Sequence, residues 1–146
     1  MKIYLAAAYQ RKLEMRGVRS VLQAMGHEIT ATWIDDENDS DGMSWGQLQL
    51  PEDVVRGSAA AQLDLADILR SNMMISFTDA QLARGGRHVE FGVAYAWKKR
   101  MVVCGPREHV FHALPFVDHY PDWSALAHDM AFWAVDRRHL LAPKEA

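Results

Sequence analysis

The residues best suited to chemistry surround a pair of glycines, Gly85 and Gly86. Glycines let the backbone approach a ligand closely, and free amides at a helix start favour an anion. Arg84 and Arg87 flank them with guanidinium groups that bind carboxylate or phosphate oxygens in pairs. Glu90 follows on the same predicted helix. Taken alone, this carboxylate is better explained as a partner of the helix dipole in the first turn, and the arginines can be solvated side chains.

The elements that must position this segment alternate between strands and helices. Apolar runs predict five strands, at residues 3–8, 27–33, 73–77, 100–104 and, briefly, 116–117. Helical spacing predicts four helices, at residues 10–25, 51–71, 87–99 and 123–140. Such alternation indicates a parallel sheet with helices on both faces. Because no linker or repeat is evident, we predict a single α/β domain over residues 1–146, a doubly wound parallel sheet of about five strands.

Apolar residues at roughly helical spacing mark the expected inner faces of the first three helices. They are Leu13, Val18, Val21, Leu22 and Met25, then Val54, Val55, Leu63, Ile68 and Leu69, and then Val89, Val93, Ala94, Ala96 and Trp97. The single cysteine, Cys104, lies in the apolar fourth strand, so we predict a buried core residue and no internal disulfide.

Ligands of doubly wound sheets bind beyond the carboxyl ends of the strands. The loops at that edge contain most of the polar and aromatic candidates, which are Ala7 and Tyr9, Trp33, Asp79 with residues 84–90, and Arg107, His109 and His112. Residues 35–57 hold an acidic run and are either a surface loop or a lid in which Trp33, Met43 or Trp45 packs on a flat ligand. Histidine-based metal binding needs a third ligand that the spacing of His109 and His112 does not supply, so we predict no metal.

Composition excludes several classes of function. A net charge of −3 without a basic stripe argues against binding to a nucleic acid polymer. The first apolar run is too short for a secretion signal, and no window reaches the eighteen apolar residues typical of a membrane span. We therefore expect a cytoplasmic protein that acts on a small molecule.

Three motifs and their order give the chain a resemblance to the nucleoside 2-deoxyribosyltransferase superfamily. They are Ile3-Tyr-Leu-Ala6, then Asp64-Leu-Ala-Asp-Ile68, and then Gly86-Arg-His-Val-Glu-Phe-Gly-Val-Ala94 ahead of Lys99-Arg-Met-Val-Val103. The resemblance runs from Lys2 to about Trp123. It implies a flavodoxin-like fold, a covalent glycosyl-enzyme mechanism, and a homodimer or larger homo-oligomer with sites near subunit interfaces.

The resemblance also implies roles for individual residues. Glu90 matches the family's catalytic glutamate, and Tyr4 matches the first-strand tyrosine that orients it. Asp64 matches an acidic residue that supports sugar binding and catalysis in the nucleotide-hydrolysing branch. Asp79 resembles the acid that contacts or protonates the departing base, and Arg107 and His109 follow the fourth strand, where that branch offers residues to a neighbouring subunit's phosphate.

One position departs from the family pattern. Six residues before the glutamate, the free-nucleoside transferases carry an aspartate and the nucleotide hydrolases a phosphate-binding serine, whereas this chain has Arg84. An arginine cannot copy the aspartate, but it suits a 5′-phosphate.

The sequence therefore predicts cleavage or transfer at the N-glycosidic bond of a deoxynucleoside, nucleoside or 5′-monophosphate, without a cofactor. Two alternatives stay open at this point. One is a ribosyl-type glycohydrolase, either a phosphoribohydrolase or an NAD-cleaving enzyme. The other is a nucleotide-binding sensor without turnover.

Overall fold

The computed structural model describes residues 1–36, 50–79 and 85–141, and for residues 133–141 it describes the backbone alone. Within these residues, five strands form one sheet in the order β2-β1-β3-β4-β5, and every neighbouring pair is parallel. The strands are β1 (Lys2–Ala6), β2 (Glu28–Ile29), β3 (Met73–Phe77), β4 (Arg100–Cys104) and β5 (Val117–Tyr120). The central strand β3 is buried throughout because helices cover both of its faces.

Four helices connect these strands: α1 (Lys12–Ala24), α2 (Pro51–Arg70), α3 (Gly86–Ala96) and α4 (Trp123–Leu141). The chain leaves β1 toward β2 at one edge and then returns to place β3 on the other side of β1. The strand order reverses at this point, and doubly wound sheets bind ligands in the crevice beyond it. The predicted α/β fold, with its parallel sheet of five strands, is confirmed.

The second strand is shorter than predicted. Only Glu28 and Ile29 pair with β1, and the 3₁₀ turn Thr32–Asp35 replaces the rest of the expected strand. Two side chains form hydrogen bonds with backbone groups that a longer β2 would pair with its neighbouring strand. The Trp33 indole N–H donates to the Leu5 carbonyl (2.8 Å), and Asp67 accepts the Thr32 backbone N–H (2.7 Å).

The inner faces of the helices are narrower than predicted. α1 buries Met15, Val18 and Leu22, which share one stripe at helical spacing. Several predicted core residues lie outside such stripes and are exposed: Leu13 and Val21 of α1, Val54, Val55, Leu63 and Leu69 of α2, and Val89 and Trp97 of α3 or its end. Ile68, Ala94 and Cys104 are buried as predicted. On α2 the inner stripe is partly polar, since it includes the fully buried Asp67.

Gly105, in the loop after β4, packs closely against Thr78, which follows β3. Its φ angle is +117°, and a Cβ atom there would lie 2.5 Å from the Thr78 hydroxyl oxygen and 2.6 Å from the Thr78 carbonyl oxygen. The Thr78 hydroxyl donates to the Pro106 carbonyl (2.7 Å), and the Thr78 backbone N–H donates to the Cys104 carbonyl (2.9 Å). A residue without a side chain is therefore required for the two loops to meet.

We expect Gly105→Ala to destabilise the fold by about 2–4 kcal/mol, because the backbone conformation and the contact with Thr78 both oppose a methyl group. Urea unfolding measures this loss. Gly17→Ala is the matched control, since nothing lies within 4 Å of a Cβ atom at Gly17 and alanine favours the interior of a helix. Equal unfolding midpoints for Gly105→Ala and the unchanged protein would contradict the prediction.

Candidate active site

A hydrogen bond between Tyr4 and Glu90 lies at the centre of the site. The Tyr4 hydroxyl donates to Glu90 Oε1 across 2.9 Å, joining β1 to α3. Tyr4 is fully buried in the core, so its ring is fixed and its hydroxyl has a defined direction. Burial, and then the charge of Glu90, raises the pKa of Tyr4 well above its ordinary value. Tyr4 therefore stays a hydrogen-bond donor at physiological pH.

Asp64 of α2 is the second carboxylate of this group. Burial, and then the charge of Asp67, raises its pKa to about 6, while the nearby Tyr4 hydroxyl lowers it. The charge of Asp64 in turn raises the pKa of Glu90. The structure thus brings together Glu90, Tyr4 and Asp64, the three residues predicted to be catalytic, from three separate elements.

Glu90 is not a partner of the helix dipole. α3 begins at Gly86, so Glu90 is the fifth residue of the helix, beyond the first turn where the dipole acts. Burial is the largest influence on its pKa, which rises to about 8, although Tyr4 and Arg87 both lower it. Desolvation therefore outweighs the Tyr4 hydrogen bond and the charge of Arg87 in setting the pKa of Glu90.

Two aromatic side chains pack together beyond the carboxyl end of β1. The ring centroids of Tyr9 and Trp33 are 6.2 Å apart, and Trp33 is held to β1 through the Leu5 carbonyl. Lys12 lies over the Tyr9 ring at 4.8 Å, and Ala7 packs against the core where β1 ends. The structure brings the predicted residues Ala7, Tyr9 and Trp33 together at the carboxyl end of β1.

The start of α3 holds a buried ion pair. Gly85 is the N-cap residue with φ +88°, and Gly86 opens the helix. Arg87 is only 5% exposed, so the interpretation as a solvated arginine is wrong for this residue. Its guanidinium lies 2.8 Å from the carboxylate of Glu108, a residue that the sequence interpretation missed. A lone acidic residue in a polar loop gives no sequence signal for such a contact.

Glu108 also connects this ion pair to the loop after β3. Its carboxylate accepts the Asp79 backbone N–H at 3.3 Å. The Asp79 side chain is close enough to Arg11 to raise the pKa of that guanidinium, after the stronger effect of Glu14. Asp79 therefore lies between Arg11, which follows β1, and Glu108 of the loop after β4.

The remaining predicted residues are less closely associated with the site. Arg107 is exposed, whereas His109 packs among the rings of His88, Phe91 and His112. The first-turn residue His88 of α3 is thus a third histidine that the spacing of His109 and His112 could not reveal. Arg84, Met43 and Trp45 lie outside the described residues, as does most of the predicted lid.

We expect Tyr4→Phe to lower kcat about 10- to 100-fold with a smaller change in KM, because the ring stays and only the orienting hydroxyl is lost. Steady-state assays of glycosidic cleavage measure both constants. Tyr120→Phe is the matched control, since its hydroxyl bonds Asp129 on α4, away from Glu90. Equal kcat values for Tyr4→Phe and the unchanged protein would remove Tyr4 from the catalytic group.

Comparison with solved structures places the fold beside that of two enzymes. A CMP N-glycosidase of Clostridium botulinum matches with a TM-score of 0.58 at 16% identity, covering 89% of this chain and 98% of that one. A 2-deoxyribosyltransferase of Bacillus psychrosaccharolyticus matches with a TM-score of 0.64 at 16% identity, covering 87% and 90%. The chain has the fold of both enzymes. The flavodoxin-like fold implied by the sequence resemblance is confirmed, and the two enzymes are of the two kinds that the resemblance names.

The sequence itself gives no such match: no family model and no curated protein matches it. Among the described residues, no helix is long and apolar enough to cross a membrane.

Proposed function

We propose that this protein is an enzyme that cleaves or transfers the N-glycosidic bond of a deoxynucleoside, nucleoside or 5′-monophosphate through a covalent bond to Glu90. The Tyr4–Glu90 hydrogen bond carries the proposal, because it fixes a carboxylate of α3 against β1, one of the two strands between which the strand order reverses. The sequence resemblance and the fold shared with an N-glycosidase and a deoxyribosyltransferase support it.

In the proposed first step, a Glu90 oxygen attacks the anomeric carbon of the sugar while the bond from that carbon to the base nitrogen breaks. The bonding electrons leave with the base, which takes up a proton from Asp79 or from solvent. In the second step, water or another base attacks the same carbon and releases Glu90 as a carboxylate. Two displacements retain the configuration at the anomeric carbon.

Tyr4 and Asp64 act on this chemistry through Glu90 and the sugar. The Tyr4 hydroxyl holds one carboxylate oxygen, which leaves the other oxygen to attack. Asp64 is ionised above a pH of about 6 and offers a carboxylate to the sugar hydroxyls or to positive charge developing on the ring. Tyr9 and Trp33 provide an aromatic wall suited to stacking on a flat base.

The pKa values make Asp64 the rival nucleophile, since near neutral pH it is ionised while Glu90 is largely protonated. A substrate analogue with fluorine at the sugar 2-position slows release of the sugar and traps the covalent product. Mass spectrometry of peptides from the trapped protein then locates the sugar. Attachment to Glu90 supports the proposal, and attachment to Asp64 reverses the roles.

A 5′-monophosphate is the favoured substrate. Arg84 supplies a phosphate-binding side chain by its type and position in the sequence, whereas the guanidinium of Arg87 is paired with Glu108. Release of free base is measured from nucleosides and from their monophosphates, with and without a second base. Arg84→Ala should reduce turnover of monophosphates more than turnover of nucleosides. Equal losses would contradict the phosphate assignment, and transfer to the second base would identify a transferase.

A nucleotide-binding sensor is the second candidate, because a largely protonated Glu90 is a weak nucleophile near neutral pH. Saturable binding of a monophosphate without release of base, even at pH 9, would establish it. Base release at pH 9 excludes it.

We also propose that the chain forms a homo-oligomer through the outer face of α2. Val55, Leu65 and Leu69 share this face and are exposed in the single chain. Apolar side chains grouped on one helix face are typical of a protein interface. Light scattering on the purified protein tests the assembly, and a monomer at micromolar concentration would contradict it.

A further inference from the structure

Three histidines converge on the side of α3 away from Tyr4. One ring nitrogen from each of His88, His109 and His112 lies within 4.8 Å of those from the other two. His109 and His112 are three positions apart, at the edge of and within the 3₁₀ turn Val110–Ala113, where three residues make one turn and bring both rings to one side. His88 reaches the same point from the first turn of α3.

The imidazole nitrogens are arranged like ligands. His88 Nδ1 and His109 Nε2 face each other at 3.1 Å, close to the separation of about 3.3 Å between two nitrogens bound to one tetrahedral zinc ion. The ring centroids of His109 and His112 are 3.8 Å apart. A nitrogen of His112 lies within 4.8 Å of the facing nitrogens of both other rings.

Two nitrogens of this cluster are buried and have no hydrogen-bond partner within the described part of the chain: His109 Nδ1 and His112 Nε2. Buried polar atoms in folded proteins nearly always have a partner, so the unpartnered nitrogen of His112, whose ring packs against the other two histidines, favours a bound species at this cluster. Imidazole nitrogens are preferred ligands of zinc and similar divalent ions.

We propose that His88, His109 and His112 bind one zinc-type divalent metal ion, which fastens the start of α3 to the loop after β4. Each ring binds through one nitrogen and keeps its proton on the other. Whichever nitrogen of His112 binds the ion, the ring gives up the hydrogen bond that its Nδ1 now accepts from the Glu108 backbone N–H (3.2 Å), since Nδ1 then carries either the metal or the ring's proton. Water fills the fourth position.

The charges around the cluster permit a cation. The positive charge of Arg87, one position before His88, is already paired with the Glu108 carboxylate at 2.8 Å. Imidazole binds a metal through the lone pair of its neutral form, so binding displaces a proton wherever a ring is charged.

The site is separate from the proposed catalytic centre. His88 and Glu90 are two positions apart on α3, a rotation of about 200° around the helix axis, so they point to opposite sides. The Tyr4 hydrogen bond holds Glu90 on its own side. The proposed metal has a structural role and takes no part in glycosidic chemistry, so it does not depend on the proposed function.

Calorimetric titration of zinc into the metal-free, full-length protein tests the proposal. We expect saturation at one ion per chain, and tetrahedral visible absorption when cobalt replaces zinc. The double variant His88→Gln/His112→Gln should weaken binding at least about 100-fold. His128→Ala is the matched control, because this exposed histidine of α4 lies outside the cluster and its loss should leave binding unchanged.

Thermal unfolding separates loss of the site from loss of the fold. Zinc should raise the melting temperature of the unchanged protein and of His128→Ala but not that of the double variant. His109→Gln, a half-buried position, serves as a second variant if the double variant fails to fold. The proposal would be overturned if no saturable binding is seen at zinc concentrations up to about 100 μM, because preformed zinc sites have dissociation constants far below this concentration. Equal binding by the ligand variants and the control would also overturn it.

Discussion

Glu90→Gln is expected to lower turnover by about 10³-fold or more, because a neutral amide cannot form the proposed bond to the anomeric carbon. The change is nearly isosteric, and the amide oxygen can still accept the Tyr4 hydroxyl hydrogen. Substrate binding should therefore persist while chemistry stops, which single-turnover assays and binding titrations separate. Glu52→Gln on the exposed start of α2 is the matched control. A Glu90→Gln protein with full activity would remove the nucleophile from the proposal.

The same substitution should stabilise the fold at alkaline pH. The pKa of Glu90 is raised from an ordinary value of 4.5 to about 8, so its protonated form favours folding. This contribution of protonated Glu90 to the free energy of unfolding is complete below the pKa that Glu90 has in the unfolded chain. It is lost as pH rises through about 8. Glutamine never ionises. At pH 9 the free energy of unfolding of Glu90→Gln should therefore exceed that of the unchanged protein by on the order of a few kcal/mol. Unfolding curves at pH 6 and pH 9 test this difference, and an equal loss of stability in both proteins would contradict it.

The rate of the reaction should rise steeply with pH. The nucleophile must be ionised, and the pKa of Glu90 in the free protein is about 8, so kcat/KM should increase up to about 100-fold between pH 6 and pH 9. The group that ionises is an acid of raised pKa, so the active form is gained as pH increases. A profile that is flat or falling over this range would contradict the assignment.

Asp64→Asn provides an internal check on that profile. The Asp64 charge raises the pKa of Glu90, so its removal should move the rising part of the profile to lower pH, even if the maximal rate falls. Asp53→Asn, at the start of the same helix, should leave the profile in place. A rising limb that stays near pH 8 in Asp64→Asn would show that the two carboxylates do not interact.

The strands that are buried on both faces could be predicted from the sequence, because a run of apolar residues has one simple physical cause there. The apolar runs predicted β3 and β4 because strands covered on both faces are apolar throughout. The predicted length of β2 was wrong, because two long-range hydrogen bonds compete with strand pairing there. Trp33 donates to the Leu5 carbonyl, and Asp67 accepts from the Thr32 backbone. Neither contact is visible as a local pattern, since each depends on where α2 and β1 lie.

In the candidate site, too, some residues could be predicted from the sequence and others could not. Tyr4, Asp64 and Glu90 were found through a family resemblance that preserves their order and spacing, and the fold brings them together. The Glu108–Arg87 ion pair and the position of His88 beside His109 were not predicted, because both join α3 to the loop after β4. The raised pKa of Glu90 was also missed, since desolvation depends on packing rather than on neighbouring residues in the chain.

The Tyr4–Glu90 hydrogen bond has a consequence for folding. It joins residues 86 positions apart, and β1 lies between β2 and β3, although β3 begins only at Met73. Contacts of such long sequence separation form slowly, because much chain entropy is lost before they stabilise the fold. A growing polypeptide must therefore keep its apolar first strand only partly paired until β3 has been synthesised. Glycosidic activity should consequently appear late in refolding, after helical structure has formed, and no N-terminal fragment that ends before α3 should have any.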